Sequence, residues 1–218
     1  MEKDGSKTST ILAIVLSIVF LLLVFGFFTF IFLFPKSSDV PQDQTQYEIY
    51  GGMTDELKDS ELFEDLQSAR SICFLGDSIT AGTEIGGIHW YEPLTPYIKG
   101  RIFNLSTGGW MVENLIEQGN SIPKADMYII AIGINDVLFR NAVKSAKTPS
   151  EFAQSCSLLA ETIKGISPEA KIYFIAPWTF TGQTEDIEKL GNSFRDALKD
   201  MCQGSGCQYI NPDPINTA

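Results

Sequence analysis

Five short apolar runs recur after residue 70, each set apart from the next by a longer stretch of different rhythm. They are Ser71–Leu75, Arg101–Leu105, Met127–Ile132, Lys171–Ala176 and Gln208–Ile210. The two longest connections repeat apolar residues at helical spacing. Pro149–Ile166 carries Phe152, Cys156, Leu159 and Ile163, and Ile187–Cys202 carries Leu190, Phe194, Leu198 and Cys202. Met111–Gln118 reads as a shorter helix, and Tyr91–Ile98 as a helical stretch despite Pro93 and Pro96. Apolar strands alternating with amphipathic helices predict an α/β fold, a parallel sheet covered on both faces. The crossovers of such a sheet are right-handed.

The chain before this body has a different character. Residues 1–10 are short and polar. Residues 11–34, Ile11 to Phe34, are apolar apart from Ser17, Gly26 and Thr29. As a helix this run would be roughly 36 Å long, enough to cross a hydrocarbon core about 30 Å thick. A cleavable signal would have a shorter apolar region and a small-residue cleavage site, which Phe32-Leu33-Phe34-Pro35-Lys36 does not offer. The reading is a single-pass membrane anchor. Lys3 and Lys7 on one side against Lys36 on the other place the amino terminus inside and the large domain outside the cytoplasm. Residues 35–53 are a linker, and residues 54–218 the folded domain. That domain opens with a helix from Asp55 to Ala69, capped by Thr54, with Leu62, Leu66 and Ala69 on one side.

A formal charge of −11 argues against a nucleic-acid partner, because phosphate binding needs clustered Lys and Arg. One histidine and four cysteines with no C-x-x-C pair argue against a structural zinc site. Cys73 reads as a buried small hydrophobe. Cys202 and Cys207 flank Gln203-Gly204-Ser205-Gly206, a turn that would let them pair in an oxidising compartment. So short a loop would contribute only ~2 kcal/mol.

The chemistry gathers on three turns. Gly76-Asp77-Ser78-Ile79-Thr80 follows the first strand, Asn104-Leu105-Ser106-Thr107-Gly108-Gly109 runs out of the second, and Gly133-Ile134-Asn135-Asp136 follows the third. In a parallel sheet all three emerge at one edge, where open α/β proteins bind ligands. A serine oxygen can attack an acyl carbon, and the resulting oxyanion needs preorganised donors. A glycine lets its backbone N–H approach closely, and an asparagine offers an amide N–H. Each turn alone would serve as well for a bend or a helix cap; it is the set of three, in this order, that points to ester chemistry.

These three stretches resemble the blocks of the GDSL or SGNH hydrolase family, over a match running from about Ser71 to the end of the chain. The resemblance implies a three-layer flavodoxin-like fold with a five-stranded parallel sheet. It implies Ser78 as nucleophile and an oxyanion hole made by the Ser78 N–H, a glycine N–H and the Asn135 side chain. Gly109 fits the spacing from Asn104 best, with Gly108 the fallback. Asp77, Gly108, Asp136 and His89 are the further candidates for lining the substrate. The stretches Ala81-Gly82-Thr83-Glu84 and Trp90-Tyr91-Glu92-Pro93-Leu94 resemble a bacterial subgroup. Similar domains remove acetyl groups from carbohydrates, or act as lipases and thioesterases. The expected partner is therefore an acyl ester, an acetylated glycan above all, and no cofactor is implied.

The family takes its base and orienting acid from a D-x-x-H block near the carboxyl end. The sequence has none between Gln208–Ile210 and Ala218, and its one histidine is His89. The expectation is that the pair lies beyond Ala218. A non-catalytic ester- or glycan-binding homologue and an O-acyltransferase are the competing readings.

Overall fold

The computed structural model describes residues 59–83, 86–178 and 183–212. The apolar run 11–34, the linker 35–53 and the Thr54 cap lie outside these residues. Among the described residues no helix is long and apolar enough to cross a membrane.

The first described helix, α1, is Glu61–Ser68. It begins later than the Asp55 start expected from Thr54, because the Ser60 hydroxyl accepts the Phe63 N–H at 3.2 Å and supplies the cap. Then come β1 (Ser71–Gly76), α2 (Ser78–Ala81), a 3₁₀ turn at Glu92–Tyr97, β2 (Arg101–Ser106) and α3 (Val112–Gln118). The remainder is β3 (Met127–Ala131), α4 (Ile134–Leu138), α5 (Pro149–Ile166), β4 (Lys171–Ile175), α6 (Glu185–Ser205) and β5 (Gln208–Ile210). The strands and long helices agree with the sequence reading. Helix α4 is new, and α6 runs past Cys202 to Ser205, where Gly206 caps it at φ 71°. The Gln203–Ser205 turn expected between two paired cysteines is thus helix, and Cys202 and Cys207 are free, buried thiols.

All five strands are parallel, in the order β2-β1-β3-β4-β5. Alternate side chains feed two cores. Cys73, Leu75, Tyr128, Ile130, Ile172 and Phe174 face Leu115 of α3, Phe152 and Leu159 of α5 and Phe194 and Leu198 of α6. Ile72, Phe74, Ile129, Tyr173 and Ile175 face Leu66 of α1 and Tyr91. The result is three layers with the sheet in the middle. Each fully buried Phe of the first core contributes on the order of 1.5–3 kcal/mol by leaving water.

The strand order decides where a ligand can sit. From β1 the chain crosses to β2 on one side, while β3, β4 and β5 build away on the other. The carboxyl ends of β1 and β3 therefore flank the point where the winding reverses, and the crevice opens there.

Candidate active site

Gly76 ends β1 opposite Ser106 of β2 and Ala131 of β3, so the three turns singled out in the sequence start level with one another. Gly76 is glycine for space: a Cβ there would lie 2.5 Å from the Ala131 carbonyl oxygen. The next residue, Asp77, is buried and caps α2, its carboxylate accepting the Ile79 N–H at 3.0 Å. Its side chain is turned inward onto the turn. Ser78 comes next as the first residue of α2, half-buried. At that position its N–H has no intrahelical acceptor. Gly82, at φ 69°, closes the far end of the helix.

The second turn folds over the first. The Thr107 N–H donates to the Gly76 carbonyl (3.4 Å), and the Trp110 N–H closes back on the Thr107 carbonyl (3.2 Å). Gly108 and Gly109 are thus the central pair of a four-residue turn. Gly109 has φ 76°, the left-handed value that the third position of a type II turn requires. Gly108 stands beside the serine: a Cβ placed on it would be 3.9 Å from the Ser78 Cβ.

The third turn reaches the second. Asn135, in the first turn of α4, donates from Nδ2 to the Trp110 carbonyl at 2.8 Å. An amide nitrogen carries two hydrogens, so one remains for a ligand at this edge. Asn135 is tied to the Thr107–Trp110 turn by this bond, and Ser78 stands beside the same turn at Gly108.

Asp136 faces the other way. The helix turns it about 100° away from Asn135, into the interior, where it has no exposure. Its Oδ2 accepts the Val112 N–H (3.2 Å) and its Oδ1 the Ala146 N–H (3.4 Å), while the Ser145 hydroxyl donates to its backbone carbonyl (3.2 Å). Burial pushes its carboxyl up to about 7 against these hydrogen bonds. Asp136 binds three segments of the protein together.

His89 lies against α2 at Thr80. Its ring stacks on Tyr91 (5.1 Å between centroids, 3° between planes), which stacks in turn on Phe74. Its Nδ1 is 3.1 Å from the Thr80 carbonyl. A carbonyl partner fixes the proton on Nδ1 and leaves Nε2 as the open nitrogen. Asn104, which begins the second block, holds the same corner: its Nδ2 donates to the Thr80 carbonyl (3.0 Å) and to the Tyr91 hydroxyl (2.8 Å), and its Oδ1 accepts from Ser106. Sequence reasoning missed this role of Asn104, and missed Thr80 and Tyr91; the pairing of Asn104 with Phe74 across β2 and β1 was the signal available.

Gly133 sets the entry to α4. It adopts φ 121°, and a Cβ on it would lie 2.7 Å from Phe152 Cζ and 2.8 Å from Pro177 Cγ. Gly133→Ala combines backbone strain with overpacking, together about 3 kcal/mol. A melt should fall by roughly 6–12 °C. An unchanged melting temperature would mean that α4 can shift to admit the methyl group.

No D-x-x-H pair and no cluster of three metal-binding side chains occurs among the described residues. The three turns bring a serine, a glycine bend and an asparagine amide to one edge of the sheet.

Residues 74–217 match the model of the GDSL-like lipase/acylhydrolase family. Among solved structures, the chain is similar to an acetylxylan esterase from Geobacillus stearothermophilus, at 18% identity and a TM-score of 0.57, covering 71% of this chain and 83% of that one. A mutant of that enzyme, described as an acetyl-xylooligosaccharide esterase, gives a TM-score of 0.58 at 18% identity, with the same shares of each chain covered. A catalytic mutant of the same enzyme gives 0.54 at 17% identity, covering 68% and 81%. At these identities the likeness is one of fold. No curated protein matches the sequence significantly.

Proposed function

The chain belongs to the GDSL-like lipase/acylhydrolase family, the SGNH type of carboxylic ester hydrolase, and from that premise we propose that it is a serine esterase removing an acetyl group from a carbohydrate. The observation that carries the reading is the meeting of three turns: Ser78, the Gly108–Gly109 bend beside it, and the Asn135 amide latched to the same bend.

In this mechanism the Ser78 hydroxyl attacks the acyl carbon and its proton passes to a general base. The carbonyl oxygen becomes negative and is held by the Ser78 N–H, a glycine N–H of the bend (Gly109, or Gly108 in its place) and the free Asn135 N–H. Collapse breaks the bond to the sugar oxygen, which takes up the proton from the base and leaves as the free hydroxyl. Water then attacks the acyl-serine and releases acetate. The family assigns the base to the histidine of a D-x-x-H block, a block these 218 residues do not contain. His89, engaged by Thr80 and stacked on Tyr91, is assigned to the lining of the site.

The choice of an acetylated glycan draws support from the acetylxylan esterase of like fold and from the Ala81–Leu94 resemblance. The apolar run Ile11–Phe34 supports a membrane anchor that holds the domain outside the cytoplasm.

The test is incubation of the full chain with an acetylated xylooligosaccharide, with acetate followed by proton NMR. Free acetate is the expected product. Acetyl groups appearing on an added acceptor sugar instead would favour the acyltransferase, and neither product would leave a binding module.

A further inference from the structure

Asn135 and Asp136 are neighbours on α4, and their side chains reach the same short segment, Trp110–Val112. Asn135 Nδ2 donates to the Trp110 carbonyl at 2.8 Å. Asp136 Oδ2 accepts the Val112 N–H at 3.2 Å. This segment is the exit of the Gly108–Gly109 bend, which the Trp110 N–H closes on the Thr107 carbonyl. The entrance of the bend is held separately, by the Thr107 N–H on the Gly76 carbonyl. Where the exit lies relative to Asn135 thus depends on two adjacent residues of one helix.

The aspartate holds the deeper end. Val112 is the first residue of α3, so its N–H has no acceptor within that helix. The bond to Asp136 is buried, and a buried N–H left without an acceptor keeps the full cost of leaving water. The other carboxylate oxygen, Oδ1, accepts the Ala146 N–H at 3.4 Å. Two N–H groups from separate segments therefore converge on the two oxygens of one side chain. An ionised carboxyl group accepts at both oxygens. Asparagine would keep one acceptor and turn an NH₂ group toward the other N–H.

We propose that Asp136 is a positioning residue for the oxyanion hole: by holding Val112 it fixes the Trp110 carbonyl that orients the Asn135 amide. The proposal rests on the esterase reading and adds to it a residue that acts through Asn135.

The experiment is steady-state kinetics on p-nitrophenyl acetate with the enzyme complete with its general base. It is run at about pH 8.5, where the Asp136 carboxyl, raised by burial to about 7, is ionised. Asp136→Asn should lower kcat about ten- to a hundredfold with KM within about twofold, because a small displacement of a catalytic donor is that costly. Added to Asn135→Ala, which already frees Trp110, it should cost no more than about threefold further. Ser145→Ala is the control. It removes a hydrogen bond to the Asp136 backbone carbonyl and leaves both bonds of the carboxylate, so kcat should stay within about twofold. Equal losses in Asp136→Asn and Ser145→Ala, or losses that multiply in full in the double variant, would overturn the proposal. If Asp136→Asn does not fold, hydrogen exchange decides. Asn135→Ala should speed exchange of the Val112 amide about tenfold more than that of the Ile129 amide in β3; equal changes at the two amides would overturn the proposal. The esterase reading fails separately, by an absence of Ser78-dependent turnover in the parent enzyme, and takes the proposal with it.

Discussion

In the enzyme complete with its general base, Ser78→Ala is expected to lower kcat for a small acetyl ester by about 10⁴- to 10⁶-fold, to the rate the remaining donors and substrate binding can sustain. The size comes from the role. Without Oγ no acyl-serine forms, and water must attack a substrate that is merely bound. The substitution isolates chemistry from folding. The cap of α2 is the Asp77 carboxylate, not the Ser78 hydroxyl, and alanine is the best helix former. The melting temperature should move by no more than about 2 °C. Steady-state kinetics beside a melt gives both readings. A variant that keeps its fold and more than about 1% of its activity would place the nucleophile elsewhere.

Asn135→Ala is expected to lower kcat by about 100- to 1000-fold with KM nearly unchanged, because the lost donor serves the oxyanion and not the ground-state ester. Asn135 has a second duty that sharpens the prediction. Its amide also donates to the Trp110 carbonyl, so alanine releases the Gly108–Gly109 bend together with its own N–H. Asn135→Asp should be at least as slow as alanine. Its carboxylate would face both the Trp110 carbonyl and the developing negative charge, with no proton to give either. A rise in KM at constant kcat would show that Asn135 binds substrate uniformly and does not favour the transition state.

The sheet was legible because burial on both faces writes itself into the sequence as unbroken apolar runs, and Phe152, Cys156, Leu159 and Ile163 trace the inner stripe of α5 at helical spacing. The arrival of the three turns at one sheet edge was legible too, since parallel strands deliver their exits there. What local letters could not tell was direction. Asp77 and Asp136 each sit beside a site residue, and each turns inward: Asp77 to cap α2, Asp136 to hold Val112 and Ala146. An acidic residue in a polar motif reads the same whether it meets solvent or a buried N–H. Helix α4, five residues long, is too short for any periodic signal. The helical course past Cys202 was hidden for a related reason. Gly204 and Gly206 suggest a loose turn, while packing of Leu198 and Cys202 against the core carries α6 through Ser205.

The whole account depends on Ser78 being the reactive hydroxyl of the site. The most direct measurement is labelling of the full chain with an alkyl fluorophosphonate, then peptide mapping by mass spectrometry. The adduct is predicted on Ser78, and an excess of acetylated xylooligosaccharide should slow its formation. An adduct on another serine, Ser106 in particular, would contradict the account.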